Sequence, residues 1–276
     1  MKNKNELKFK MIIIILITIF LISLLAPYIA PNDPYTVDLS KTLMKPNKEF
    51  LFGTDSLGRC VFSRVLYGAN RTIFSAIVVV LITFVFGTSV GIISGYMGGK
   101  IDLIIMRTVD VFLAFPGLVL AIAVAGLLGG SMINAMIAIS LISWTKYARI
   151  ARSKVLEIKE ETFIQASRIS GHNSLHNMRK HILPNILAYL IVTASLDIGT
   201  VIMEMSSLSF LGLSSPLPMP EWGAMISEGK GVIQFAPWTV IAPGIAILIV
   251  VVLFNLLGDV IRDLLDLREK EHFESK

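Results

Sequence analysis

Met11-Ile12-Ile13-Ile14-Ile15-Leu16-Ile17-Thr18-Ile19-Phe20-Leu21-Ile22-Ser23-Leu24-Leu25-Ala26 contains no charged residue, and only Thr18 and Ser23 are polar. A helix built from this run has no polar face to turn toward water, so it suits a bilayer and not the rim of a soluble core. Lys2, Lys4, Lys8 and Lys10 precede it, as positive charge precedes the apolar region of a signal peptide. The run passes into Pro27-Tyr28-Ile29-Ala30-Pro31 without a small-x-small cleavage site. Residues 11–30 therefore read as an uncleaved first span, behind a short N-terminal segment, residues 1–10.

Five more apolar runs follow, at about Thr72–Gly95, Leu103–Leu128, Met132–Ile150, Asn185–Leu213 and Pro237–Leu257. Six crossings of roughly 20–25 residues each account for most of the apolar content. That content is 54% of 276 residues, with only 16% charged and a mean hydropathy of +0.72. Such a balance excludes a soluble globular enzyme, a disordered chain and a collagen-like fibre. The single cysteine, Cys60, excludes a disulfide framework or a multi-cysteine metal cluster.

Charge placement orients the spans. With the N-terminus cytoplasmic, eighteen Lys and Arg residues fall inside and seven outside. Both termini are then cytoplasmic, and the net charge of +5 lies on one side of the membrane, so it calls for no nucleic-acid partner. The reading is an all-α integral membrane protein: an extracytoplasmic segment at 31–71, a core of five spans at 72–258 and a cytoplasmic tail at 259–276. The second outside segment carries Pro216, Pro218 and Pro220 in alternation, which reads as a stiff extended track before Trp222.

Within the spans, Gly87, Gly91 and Gly95 share one helix face and let another backbone approach closely, either in this chain or in a second subunit. Arg107 and Asp110 are three apart and can pair along their helix. Asp197 and Glu204 lie two turns apart on one face, with no Lys or Arg in that span to neutralise them. Each charge costs about 2.5–3.5 kcal/mol at the bilayer centre on insertion scales. The two carboxylates therefore either face a watery translocation pathway suited to a cationic or amine-bearing solute, or meet a basic partner from elsewhere.

The long cytoplasmic connection, residues 151–184, has helical spacing over Val155–Ser170. Gly171 stands where a helix ends, and Asn173 or Ser174 can cap a second short helix, which Pro184 keeps from running on unbroken. His172, His176 and His181 bracket that second helix. No acidic or cysteine ligand stands beside them, so they read as polar surface and not as a metal site. Gly98-Gly99-Lys100 lacks the Gly and Ser/Thr of a phosphate loop, Ser94 and Ile101 standing in their places. Hydrolase elbows and zinc-binding helices are absent too.

Phe163-Ile164-Gln165-Ala166-Ser167-Arg168-Ile169-Ser170-Gly171, with His181-Ile182-Leu183-Pro184-Asn185, resembles the coupling loop of binding-protein-dependent ABC importer permeases. Ala166, Gly171, Leu183 and Pro184 match that pattern, while Gln165 and Ser167 stand where Glu and Ala are usual. Further collinear matches resemble the peptide/nickel branch. They run from Phe52-Gly53-Thr54-Asp55-Ser56-Leu57-Gly58-Arg59 with Ser63-Arg64, through Met106-Arg107-Thr108-Val109-Asp110 with Phe115-Pro116, to Pro220-Glu221-Trp222-Gly223 and Phe254-Asn255-Leu256-Leu257-Gly258-Asp259. Cys60 departs from the aspartate usual there.

The resemblance implies a type I ABC importer permease fold of six transmembrane helices and no enzyme activity in this chain. It implies ATP and Mg bound by partners: two cytoplasmic ATPase subunits, a second homologous permease and an extracytoplasmic solute-binding protein, all at the cytoplasmic membrane and its lipid. Transport would proceed by alternating access, with the loop around Gly171 as lever. Thr193-Ala194-Ser195-Leu196-Asp197-Ile198-Gly199 resembles the nickel permease C-type subunit, so nickel or a small metal chelate is the expected cargo, with dipeptides or oligopeptides as the alternative. The rival classes are a self-sufficient secondary transporter, opposed by the missing internal repeat, and an intramembrane enzyme.

Overall fold

A computed structural model describes residues 2–214 and 218–274. Among them the chain is helical, with no strand beyond one isolated antiparallel bridge between Thr54 and Cys60. The elements in order are α1 (Lys2–Leu24), α2 (Ala26–Ile29), α3 (Val61–Met97), α4 (Gly99–Leu113), α5 (Gly117–Leu128), α6 (Met132–Ile158), α7 (Thr162–Ile169), α8 (Ser174–Asn177), α9 (Leu183–Phe210), α10 (Trp222–Gly229) and α11 (Trp238–Glu274). Pro216, part of the expected stiff track, lies outside the described residues.

The bundle is organised around α3 and α6, which pack along their length, with α9 against both and α11 against α9 and α3. Glycine sets the spacing. A Cβ on Gly87 would come within 2.3 Å of the Trp144 carbonyl, on Gly91 within 2.4 Å of the Ala148 carbonyl, and on Gly95 within 2.8 Å of the Val155 side chain. The glycine stripe therefore faces α6 of the same chain. One buried cluster joins Ile73, Ala76 and Val79 of α3, Ala138 and Ile139 of α6, Ile202 and Met205 of α9, and Phe254 of α11. α1 touches α11 and α3 from outside and keeps most of its apolar surface exposed, which suits a peripheral helix in lipid.

The expected spans are altered in three places. The run at Leu103–Leu128 is two helices, α4 and α5, bent by 85°. Pro116 lacks an N–H and disfavours helical backbone at Phe115, which accounts for the break. The run expected at Met132–Ile150 is a helix reaching Ile158, and the loop helix expected over Val155–Ser170 is interrupted at residues 159–161. Pro184 does not break the chain's helical course, because a π turn at Met178–Ile182 absorbs the irregularity and the helix runs on through α9.

The count also differs. By length and composition four helices can cross a membrane, Asn5–Leu24, Val61–Met97, Ser174–Phe210 and Trp238–Leu265, and the bent pair would make a fifth. The expected sixth, α6, is long enough but is diluted by Lys146, Arg149, Arg152 and Lys154.

Candidate functional site

The loop between α6 and α9 is built from helix-end chemistry. At the end of α7, Gly171 adopts φ +83°, its N–H bonds to the Arg168 carbonyl at 3.0 Å, and the His172 N–H bonds to the Ser167 carbonyl at 3.2 Å. This pair of bonds is the Schellman closure, which favours glycine at the left-handed position. A Cβ there meets nothing within 4 Å. The glycine is thus required by backbone conformation and not by space. Asn173 caps α8, its side-chain oxygen accepting the His176 N–H at 2.8 Å.

The loop is docked on the bundle's end. Ile164 of α7 is fully buried with Ile92 of α3, Val155 of α6, Ile182 of the π turn and Ile186 of α9. Ser167 is buried and donates to Asn177 Oδ1 at 2.6 Å, so the hydroxyl at this departure from the usual alanine has a partner. Gln165 is exposed and donates from Nε2 to the Glu160 carbonyl at 2.9 Å. Ala166 is exposed, Leu183 half-buried and Pro184 exposed. Ile169 and Leu175 leave apolar side chains in the open, 87% and 58% exposed.

His172 and His176 stack with ring centroids 4.2 Å apart, and His181 lies 5.7 Å from His176. No group of three or more His, Cys, Asp or Glu among the described residues is arranged to hold a metal ion.

α6 carries four cations; Lys154 pairs with Glu157 on the same helix, and the other three each pair with another helix. Arg152 donates from Nη2 to Asp102 of α4 at 2.6 Å, and Arg149 donates to Asp110 of α4 at 2.8 Å, with Arg107 at 4.0 Å from the same carboxylate. Lys146 pairs with Asp197 of α9, whose side chain is 9% exposed. The basic partner of Asp197 therefore comes from the neighbouring helix. Glu204 is half-buried and has no ion pair or hydrogen bond among the described residues, so the two carboxylates on one face are not equivalent.

At the other end of the bundle lies an arrangement the sequence reading did not assemble. Arg59 donates from Nε to Asp55 at 2.7 Å and pairs with Glu228 of α10. Arg64, 1% exposed, reaches Glu228 at 3.1 Å and Asp55 at 3.5 Å. Asp55, Arg59 and Arg64 sit within quoted motifs, but Glu228 lies 164 residues beyond Arg64 and carried no local signal. Close by, buried Glu221 caps α10, accepting the Gly223 and Ala224 N–H groups at 3.0 and 2.9 Å and the Thr72 hydroxyl at 3.2 Å. On the exposed segment before α3, the Ser40 hydroxyl holds the Asp38 carboxyl below its usual range, and the Tyr35 N–H does the same for Asp33.

Residues 87–271 match the family described as binding-protein-dependent transport system inner membrane component. The chain belongs to this family. It is 43% identical to the dipeptide transport system permease protein DppC of Alkalihalophilus pseudofirmus, over 98% of this chain and 89% of that protein. The probable D,D-dipeptide permease DdpC of Escherichia coli is 43% identical over 92% of this chain and 85% of its own length. The glutathione permease GsiD of Pectobacterium atrosepticum is 41% identical over 87% and 80%. Among solved structures, the methionine ABC transporter MetNI in an inward-facing form aligns with a TM-score of 0.62 at 20% identity, covering 74% of this chain and 97% of that one, a likeness of fold. The protein is thus a permease subunit of an ABC importer, a multi-pass membrane protein and not an enzyme. ATP hydrolysis belongs to a separate subunit.

Proposed function

We propose that this permease subunit serves peptide import. Relatives 40–43% identical over most of both chains carry dipeptide and glutathione transport names, and this is the observation that carries the reading. It favours the alternative cargo over the nickel expected from the sequence. The argument for a metal rested partly on two unneutralised carboxylates, and Lys146 already neutralises one of them. Glu204 remains the carboxylate available to a substrate ammonium group along the α9 face.

In this reading the chain crosses the membrane six times, the bent α4–α5 pair forming one crossing and α6 another, with both termini cytoplasmic. It pairs with a second, homologous permease, two ATPases docked at the loop around Gly171, and an extracytoplasmic binding protein. Closure of the ATPase pair on ATP moves the loop, and the helices rock to alternate access. Cargo crosses without covalent chemistry. The deciding experiment is uptake of radiolabelled dipeptide and of radiolabelled nickel by cells with and without the gene. Gene-dependent dipeptide uptake with unaltered nickel uptake is expected, and the reverse would refute the peptide reading.

A further inference from the structure

We propose that Tyr96 is a positioning residue that ties the coupling segment to α3 and makes that helix the rod carrying the ATP-driven movement to the outer face. The inference rests on the importer assignment and not on which cargo is carried. The Tyr96 hydroxyl, at the cytoplasmic end of α3, accepts from Asn177 Nδ2 at 3.1 Å and from Arg168 Nε at 3.4 Å. The Arg168 guanidinium also lies 5.1 Å from the centre of its ring. Asn177 is fully buried, and its other amide atom accepts from Ser167 at 2.6 Å. One phenol oxygen thus gathers both halves of the bent segment, α7 through Arg168 and α8 through Asn177.

The neighbouring helices join the loop covalently, α6 across a break at residues 159–161 and α9 through a π turn in an otherwise continuous helical course. α3 has no covalent link to the loop. It runs unbroken for 37 residues without proline, about 55 Å at 1.5 Å per residue. At its far end Arg64, with Arg59 just before the helix, grips Glu228 of α10. A displacement of the loop taken up at Tyr96 therefore reaches α10 and the segment before α3 through a single stiff element.

The test uses the complete importer, with its partner permease, ATPases and binding protein, reconstituted in liposomes. Tyr96→Phe removes the oxygen and keeps the ring beside Arg168, and Asn177→Ala removes the same bond from the other side. Two readouts are taken: dipeptide moved per ATP hydrolysed, and, without any cargo, the nucleotide-induced change in labelling of Lys230→Cys at the outer face, with buried Cys60 as background. Both variants should retain their ATPase subunits and hydrolyse ATP within about twofold of the parent, while both readouts fall about threefold or more, the scale of one net hydrogen bond. Unchanged readouts would overturn the proposal. Loss of the ATPase subunits would also overturn it, since Tyr96 would then govern docking. If the parent complex does not carry dipeptide, the peptide reading fails, and the labelling comparison still decides the role of Tyr96.

Discussion

Lys146 on α6 and Asp197 on α9 form an ion pair across the bundle, and the two ends are unequally buried: the Asp197 side chain is 9% exposed, that of Lys146 51%. The asymmetry dictates which substitution hurts more. Without Asp197, the lysine still reaches solvent or headgroups by extending its stem. Without Lys146, the buried carboxylate loses its cation.

Lys146→Met should therefore destabilise the assembled importer by about 3 kcal/mol, the scale of an orphaned buried charge. Asp197→Asn should cost about 1 kcal/mol, as for a weakened hydrogen bond. Combining the two should recover most of the loss, because the buried charge is gone. Thermal midpoints of the purified complex in detergent check the order, and equal losses from the two single variants would contradict the asymmetry.

The α3–α6 contact gives a second expectation. Gly91→Leu must displace the Ala148 backbone, and Gly91→Ala already places a carbon 2.4 Å from its carbonyl. In the same molecule Gly126 has nothing within 4 Å of an added Cβ. Gly126→Ala should leave membrane abundance and melting unchanged, Gly91→Ala should cost about 1–3 kcal/mol as an overpacked core does, and Gly91→Leu should abolish accumulation of the protein.

At Gly171 the prediction separates strain from space. The position is open but left-handed, so a β-branched residue suffers there by about 1–2 kcal/mol, whereas asparagine tolerates it better. Gly171→Val should abolish uptake while the protein remains in the membrane, and Gly171→Asn should keep part of the uptake. Transport by Gly171→Val equal to the parent's would remove the lever role from this bend.

Much of this was legible from residue order alone, because a bilayer reduces the problem to apolar length, glycine spacing and charge placement. The run Met11–Ala26, the Gly87/Gly91/Gly95 face and the Gly171 turn are local signals, and they correspond to α1 with the start of α2, to the α3 face against α6 and to the end of α7. What was not legible depended on pairing between distant helices. The partner of Asp197 lies 51 residues away on α6, and Glu228 lies 164 residues from Arg64. The 85° bend at Pro116 was readable in principle from the proline, but unbroken hydropathy on both sides masked it. Cargo was the least legible feature: the stretch Thr193–Gly199 and the carboxylates of Asp197 and Glu204 pointed toward metal, whereas relatives over 40% identical carry dipeptide and glutathione transport names.

The charge cluster at the end of the bundle away from the loop supports the last prediction. Glu228 serves two arginines that are 1–2% exposed, and Asp55 is the only other carboxylate paired with them among the described residues. Removing Glu228 leaves two buried guanidinium groups sharing one acid. Arg64 keeps weaker contacts to the Pro34 and Pro218 carbonyls, and Arg59 already has one nitrogen without a partner. Glu228→Gln should therefore destabilise by about 3 kcal/mol or more, and it should loosen the join between α10 and the segment before α3 ahead of the membrane bundle. Limited proteolysis at the exposed stretch 44–49 should accelerate in Glu228→Gln and not in Glu49→Gln, whose carboxylate pairs with Lys41 in the open. Equal cleavage rates in the two variants would show that the cluster does not hold α10 to this segment.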